Sequence, residues 1–204
     1  MNTPDAAGVP DAAGVPDAAG VPDAAGVPDA AAVPAAGAPA AILIGPPGAG
    51  KSTVGPLLAA RLGTGFTDTD AEVEATAGKP VSDIFVEDGE PAFRELERAA
   101  VVRALAGTAG VVAVGGGAVL DPQTQARLAG HPVVYLETGF AAAARRVGLS
   151  QARPLLIGNP RATLKILLDQ RISVYRRLAT ITVGTDDREP AEIAAEIARR
   201  LAAP

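Results

Sequence analysis

Cysteine is absent from the 204 residues, which removes a disulfide framework, a thiol nucleophile and any cysteine metal site. Histidine occurs once, at position 131. That excludes a His-rich metal cluster, and a serine–histidine hydrolase built on any other histidine. His131 lies between a helix end (Leu128-Ala129-Gly130) and an apolar run (Pro132-Val133-Val134-Tyr135-Leu136), a loop position that suits a structural role better than a catalytic one. The N-terminus has neither basic residues nor a continuous apolar stretch. It matches neither a signal peptide nor a membrane span, so a cytoplasmic protein is the expectation.

A surplus of positive charge is also missing. The chain carries a net −5, and Asp5, Asp11, Asp17, Asp23 and Asp29 supply all of it, so residues 41–204 are balanced. Nothing here points to nucleic acid or to an anionic membrane as a partner. Those five acids belong to a hexapeptide repeat, Val-Pro-Asp-Ala-Ala-Gly, with prolines at 4, 10, 16, 22, 28 and 34. The repeat has no apolar side chain larger than valine and cannot bury enough surface to offset its ordering entropy, so residues 1–40 are expected to be a disordered Pro/Ala/Gly tail. A hexapeptide β-helix would share the period, but a proline in every turn opposes it. Residues 41–204 are left as one domain, long enough for a substantial core.

What that domain does have is Gly45-Pro46-Pro47-Gly48-Ala49-Gly50-Lys51-Ser52, a full GxxxxGK[ST] loop. It follows a short apolar run (Ala41-Ile42-Leu43-Ile44) and precedes a helical pattern from Ser52 to Leu62. In that setting a strand delivers the chain to a glycine-rich turn whose N–H groups face an anion, and the helix N-terminus adds partial positive charge. Lys51 reaches the terminal phosphates and Ser52 can ligate Mg²⁺. Gly48, Ala49, Gly50, Lys51, Ser52 and Thr53 are therefore candidate nucleotide-binding residues, and a nucleoside triphosphate is the expected ligand.

Apolar runs then alternate with helical patterns. Strands are expected at Gly65–Thr67, Val111–Val114, Val133–Leu136 and Ile181–Val183. Helices are expected to begin at Asp70, to run from Pro91 through Leu105, and to cover Gln123–Leu128, Phe140–Val147, Arg161–Leu178 and Glu189–Leu201. Ser82 is placed to cap a turn through Phe85. Short, uniformly apolar strands separated by helices indicate a parallel sheet covered on both faces. The ligand should lie beyond the carboxyl ends of the strands.

The residues after each strand narrow the chemistry. Asp68 and Asp70, in Phe66-Thr67-Asp68-Thr69-Asp70, are two apart, which in an extended stretch turns both carboxylates to one face. One acid could steady a metal or its waters, and the other could take a proton from an attacking hydroxyl. For Asp70 a helix N-cap is an equally good reading. Arg94 has Glu97 three residues on as a possible orienter. Gly115-Gly116-Gly117 lets a ligand approach bare backbone amides. Arg171 stands one helical turn before Tyr175. Two arginines converging on one site would suit a substrate carboxylate, although each taken singly also reads as a solvated surface charge.

At this point the chain resembles the shikimate kinases, from about Ile42 to Leu201. The resemblance rests on GPPGAGKST, DTD, DIFVEDGEPAFRELE, VGGGAV, RPLL and TDDREP in this order. It implies an α/β P-loop NTPase fold of the nucleoside monophosphate kinase type, five parallel strands flanked by helices, with a mobile lid. It also implies transfer of the γ-phosphoryl of ATP to the 3-hydroxyl of shikimate, with Mg²⁺ as cofactor, in a monomer. Carried over residue by residue, it gives Lys51 the β- and γ-phosphates, Ser52 the Mg²⁺ and Asp68 the metal's water shell. Asp70 would bind the shikimate hydroxyls and act as the base. Arg94 and Arg171 would clamp the carboxylate, and Gly115, Gly116 and Gly117 would present backbone to the substrate. Arg153, in Arg153-Pro154-Leu155-Leu156, would come from the lid to the phosphates, while Arg146, Arg188 and Pro190 would line the adenine.

Two features depart from the family pattern. Ser173-Val174 precedes Tyr175 where a Pro-Leu pair is usual, which is expected to loosen the turn or helix that aims Arg171. The repeat tail has no counterpart and reads as a tether or solubilising arm. A gluconate kinase of the same fold would also need arginines for a carboxylate, but the DTD and GGG pair favours shikimate. A nucleotide kinase would have to read a base. A GTPase would need an Asn/Thr-Lys-x-Asp tetrad, which the sequence lacks. A nucleotide-dependent regulatory module would be expected to have lost Lys51, Asp70 or Arg153, all of which are present. Deleting residues 1–38 should leave kcat and thermal midpoint nearly unchanged. A steady-state assay and a melting curve on the truncated chain check this, and a large drop in either would show that the repeat docks on the domain.

Overall fold

A computed structural model describes residues 37–107, 109–147 and 160–203. The repeat through residue 36 and the expected lid residues Arg153-Pro154-Leu155-Leu156 lie outside the described residues. Among those described, β1 (Ala41–Ile44), β2 (Phe66–Asp68), β3 (Val111–Ala113), β4 (Val133–Glu137) and β5 (Ile181–Gly184) form one sheet in the order β2-β3-β1-β4-β5. Every pairing is parallel; Leu43, for example, is in register with Ala113 on one side and Val134 on the other. This is the expected all-parallel α/β architecture.

The central strands are uniformly apolar because both faces are covered. Alternate side chains of β1 feed two separate cores, as the two-residue period of a strand requires. Ala41 and Leu43 join Leu58 of α1 (Lys51–Leu62) and Ile193 and Ile197 of α8 (Pro190–Leu201). Ile42 and Ile44 face the opposite core with Val101, Tyr135 and Tyr175. Val101 belongs to α4 (Gly89–Gly107) and Tyr175 to α7 (Pro160–Leu178). A smaller apolar cluster of Val73, Ile84, Phe93 and Ala100 joins α2 (Thr69–Ala77) and α3 (Val81–Glu87) to α4.

Several local expectations need correction. The strand carrying the two acids ends at Asp68, and Asp70 already lies in the first turn of α2. The same-face argument for an extended Asp68–Asp70 pair therefore does not apply. Asp68 itself caps the helix, its Oδ1 accepting from the Asp70 N–H at 3.0 Å, and this bond turns the chain out of the sheet. Ser82 does not cap α3: its hydroxyl donates to Asp83 Oδ1 at 3.0 Å, and the cap position is Pro80. The 3₁₀ turn Ala118–Leu120 after the glycines was not anticipated. It leads into α5 (Pro122–Leu128), whose cap is Asp121, accepting from the Thr124 N–H at 3.0 Å. Helix α6 (Phe140–Val147) follows β4 as expected.

Ser173-Val174, where a Pro-Leu pair is usual, lie inside α7. Ser173 keeps the backbone N–H that a proline lacks, and α7 runs unbroken from Pro160 to Leu178. Arg171 stays 5% exposed within it.

Candidate functional site

All five strands point their carboxyl ends to the same edge of the sheet, so the segments leaving β1, β2 and β3 come together there. A cleft of about 380 Å³ opens at this edge, lined by Lys51, Ser52, Asp68, Asp70, Gly116 and Arg146 among others. Members of three sequence-predicted groups that are far apart in the chain thus line one cavity, whereas Arg94, Arg171, Arg188 and Pro190 are not among its lining residues.

The first group is the phosphate loop. Gly50 caps α1 in a left-handed conformation without a side-chain cap bond, which leaves the helix N-terminus with its positive end toward the cleft. Lys51 Nζ donates to Gly45 O at 2.7 Å and to Pro46 O at 3.3 Å, so its ammonium is folded across the loop. Ser52 Oγ donates to Asp68 Oδ2 at 2.6 Å. A hydroxyl and a carboxylate held together are the hard oxygen donors that Mg²⁺ prefers, and Mg²⁺ usually takes only one or two protein groups beside phosphate and water. The pair therefore fits a nucleotide-bound Mg²⁺. Among the described residues no cluster of three or more His, Asp or Glu side chains forms a metal cage, and this chemistry does not require one.

The second group surrounds the glycine turn after β3. Neither Gly115 nor Gly117 has room for a side chain. A Cβ at Gly115 would lie 2.5 Å from Asp70 Oδ1 and 3.0 Å from Glu97 Oε1, and one at Gly117 would lie 2.6 Å from Arg94 Nη1. The turn is tied at both sides. The Gly115 N–H donates to the Thr69 hydroxyl at 2.9 Å, and the Tyr175 hydroxyl donates to Gly116 O at 2.7 Å. The structure thus brings Asp70, Arg94 and the three glycines together, with Arg171 close enough to Glu97 to act on it electrostatically.

Charge in this corner is buried. Glu97 is 3% exposed and accepts from Arg94 Nη1 at 2.7 Å. Burial pushes the Glu97 carboxyl above the usual glutamate range, and Asp70 adds to the rise, while Arg94 and Arg171 pull it down. Arg94 is further held by Glu90, at 2.9 Å from Nη2, and its Cζ lies 5.2 Å from the centre of the Phe93 ring. Arg171 Nε is buried with no hydrogen-bond partner among the described residues. A buried cation with an unsatisfied donor is costly and is suited to meeting an anion.

The third group lies across the phosphate loop. Arg146, in the last turn of α6, donates to Gly48 O at 3.4 Å, to the Thr185 hydroxyl at 3.0 Å and to Thr185 O. It joins the loop after β1 to the end of β5. Arg188 instead donates to Gly184 O at 3.0 Å and pairs with Glu196 of α8 at 2.7 Å, and Pro190 opens that helix. The arginine pair formed with Arg188 and Arg200 holds the Glu196 carboxyl below its ordinary range, Arg188 being the larger cause.

Sequence reasoning missed Thr69 and Thr185 and treated Glu97 only as a possible orienter. Thr69 stands between two more conspicuous acids, and its bond partner is 46 residues away, so no local signal marks it. Thr185 directly follows β5. Its position at a strand carboxyl end was the available clue.

Known proteins resemble this chain over the described domain. A family profile described as "Shikimate kinase" matches residues 47–202. A shikimate kinase of Thermobifida fusca is 64% identical over 165 residues, covering 81% of this chain and 96% of the relative. One of Salinispora arenicola is 59% identical over 166 residues, covering 81% and 99%. Among solved structures, the shikimate kinase of Acinetobacter baumannii in complex with shikimate superposes with a TM-score of 0.77 at 36% identity, covering 80% of this chain and 93% of that one.

Gly115→Ala should be felt at once, since both obstructing oxygens belong to buried or part-buried acids rather than mobile surface groups. The expected loss is about 1–3 kcal/mol in urea unfolding. Affinity for a nucleotide analogue, measured on the same preparation, should stay close to that of the parent chain.

Proposed function

The chain belongs to the shikimate kinase family, and from that premise we propose how its residues divide the work of phosphoryl transfer. The reaction moves the γ-phosphoryl of ATP to the 3-hydroxyl of shikimate, giving shikimate 3-phosphate and ADP in aromatic amino-acid biosynthesis. One observation carries the division. The turn Gly115–Gly117 borders the cleft of Lys51 and Ser52 through Gly116, and abuts Asp70 and Arg94 through its neighbours. Donor and acceptor pockets thus share a wall.

Phosphoryl transfer leaves little covalent chemistry to the protein, so positioning and charge neutralisation supply most of the rate enhancement. Lys51 exchanges the loop carbonyls it now binds for the β- and γ-phosphate oxygens. Ser52 would hold Mg²⁺ directly and Asp68 through water, the metal supplying charge neutralisation on those oxygens when bound. Asp70 binds the shikimate hydroxyls and accepts the proton of the attacking one. Its N–H is already committed to Asp68, which orients the first turn of α2 on the phosphate side. Arg94, held by Glu90 and Glu97, and Arg171, whose Nε lacks a partner among the described residues, grip the shikimate carboxylate.

Gly48, Ala49, Gly50 and Thr53 cradle phosphate, and Gly115, Gly116 and Gly117 offer backbone to the acceptor. Arg146, Arg188 and Pro190 border the adenine. Arg146 is supported in this by its bonds to Gly48 and Thr185, while Arg188 would have to serve from within its pair with Glu196. Arg153 would meet the phosphates from a lid; it lies outside the described residues. Residues 1–40 act as a tether outside the kinase domain of 41–204, a reading supported by the family match beginning at residue 47. A monomer is the proposed working unit. No helix among the described residues is long and apolar enough to cross a membrane, and together with the cysteine-free composition this supports a cytoplasmic place of work.

ADP release should be measured with MgATP and shikimate, quinate, gluconate or no acceptor. Turnover dependent on shikimate is expected, and turnover with gluconate instead would overturn the acceptor assignment. Asp70→Asn keeps the shape and hydrogen bonding of the side chain but removes its charge. It should reduce kcat by roughly 10²–10⁴-fold, and near-normal turnover in that variant would remove Asp70 from the role of base.

A further inference from the structure

Of the two side chains that tie the glycine turn, Tyr175 lies outside every role assigned above. It is completely buried, and its ring stacks on Tyr135 with centroids 5.2 Å apart. Its hydroxyl donates to Gly116 O at 2.7 Å. Burial pushes the phenol far above its ordinary range, with the charge of Arg171 opposing the rise. Arg171 and Tyr175 stand one turn apart on α7, so the hydroxyl ties the helix that carries Arg171 to the glycine turn.

That connection has a direction. Gly116 O belongs to the same planar peptide unit as the Gly117 N–H. A hydrogen bond to the carbonyl fixes the plane and, by polarising the amide, strengthens its N–H as a donor. This peptide lies beside Arg94, since a Cβ at Gly117 would sit 2.6 Å from Arg94 Nη1. A peptide plane free to tilt by a few tens of degrees would aim its N–H away from an acceptor held by the two arginines.

We propose that Tyr175 is a positioning residue for the acceptor, holding α7, and with it Arg171, against the Gly116–Gly117 peptide so that α7 sets the geometry of the carboxylate clamp. The proposal rests on the assignment of Arg94 and Arg171 to the acceptor carboxylate.

Tyr175→Phe in the full chain keeps the ring and its stack on Tyr135 and removes only the hydroxyl. KM for shikimate should rise about five- to tenfold, the worth of one net hydrogen bond, while KM for MgATP stays within about twofold. A merely structural role would move both constants and the thermal midpoint together, and that outcome, like no change in either constant, overturns the proposal. A double-mutant cycle with Arg171→Lys supplies a second readout. If Tyr175 acts through Arg171, the two changes in shikimate KM combine to less than their product; full multiplicativity overturns the link. If Tyr175→Phe fails to fold, 3-fluorotyrosine can be incorporated into a Tyr135→Phe chain, where Tyr175 is the sole tyrosine. The more acidic phenol keeps the shape and strengthens the donor, so shikimate KM should shift while MgATP KM does not; no shift in shikimate KM overturns the proposal. Parent-chain turnover with shikimate, measured alongside, separates the two levels. Its absence would defeat the functional assignment, whereas its presence with an insensitive Tyr175→Phe would defeat this inference alone.

Discussion

The close approach of the Gly115–Gly117 backbone to acidic and basic side chains is the constraint around which the site is organised. Three elements meet there without a side chain between them. Asp70 arrives from α2, Arg94 and Glu97 from α4, and Tyr175 from α7. The turn also borders the phosphate cleft, so on the proposed assignment its position sets the distance between the group that gives and the group that accepts. In-line transfer tolerates little error in that distance, since a displacement of about 1 Å can cost 10²-fold in rate.

The same corner shows why buried charge is a poor stability device and a useful recognition device. Glu97 is almost fully buried, yet it has to serve Arg94 while Arg171 keeps an unsatisfied Nε. Desolvation of such groups costs several kcal/mol per ion, which an imperfect pair repays only in part. On the proposed assignment, an incoming carboxylate would supply the partner that Arg171 Nε lacks among the described residues.

The nucleotide side rests on different physics. The sheet is all parallel, so each strand ends at the same edge, and the chain must leave it through a loop or a helix start. Asp68 illustrates the economy of this edge. One of its oxygens caps α2 and the other accepts from Ser52, so the start of a helix and the candidate metal donors are held by one side chain. Arg146 does similar work across the cleft by joining Gly48 to Thr185. Arg188, by contrast, is drawn into an ion pair on α8. The three residues first grouped around the adenine thus have different degrees of commitment in the folded chain.

What could be read from the chain alone was what is local. GPPGAGKS is contiguous, and its flanking strand and helix follow from apolar spacing within twenty residues, so the phosphate loop and its setting were legible. So was the alternation of short apolar runs with helical periods, which implies a parallel sheet whatever the order of its strands. The amino-acid sequence by itself thus determined the chemistry available: one lysine in a glycine loop, two acids after one strand, three glycines after another. Which acid caps the helix was not legible, because Asp68 and Asp70 are both good caps until the end of the strand is known. Nor were the bonds of Thr69 to Gly115, Tyr175 to Gly116 and Arg146 to Thr185, which span 46, 59 and 39 residues. Only the tertiary structure decided those, for a physical reason. Pairing over such distances depends on strand order and on the packing of α4 and α7 against the sheet, and these arise from the summed burial of many side chains that no single motif encodes.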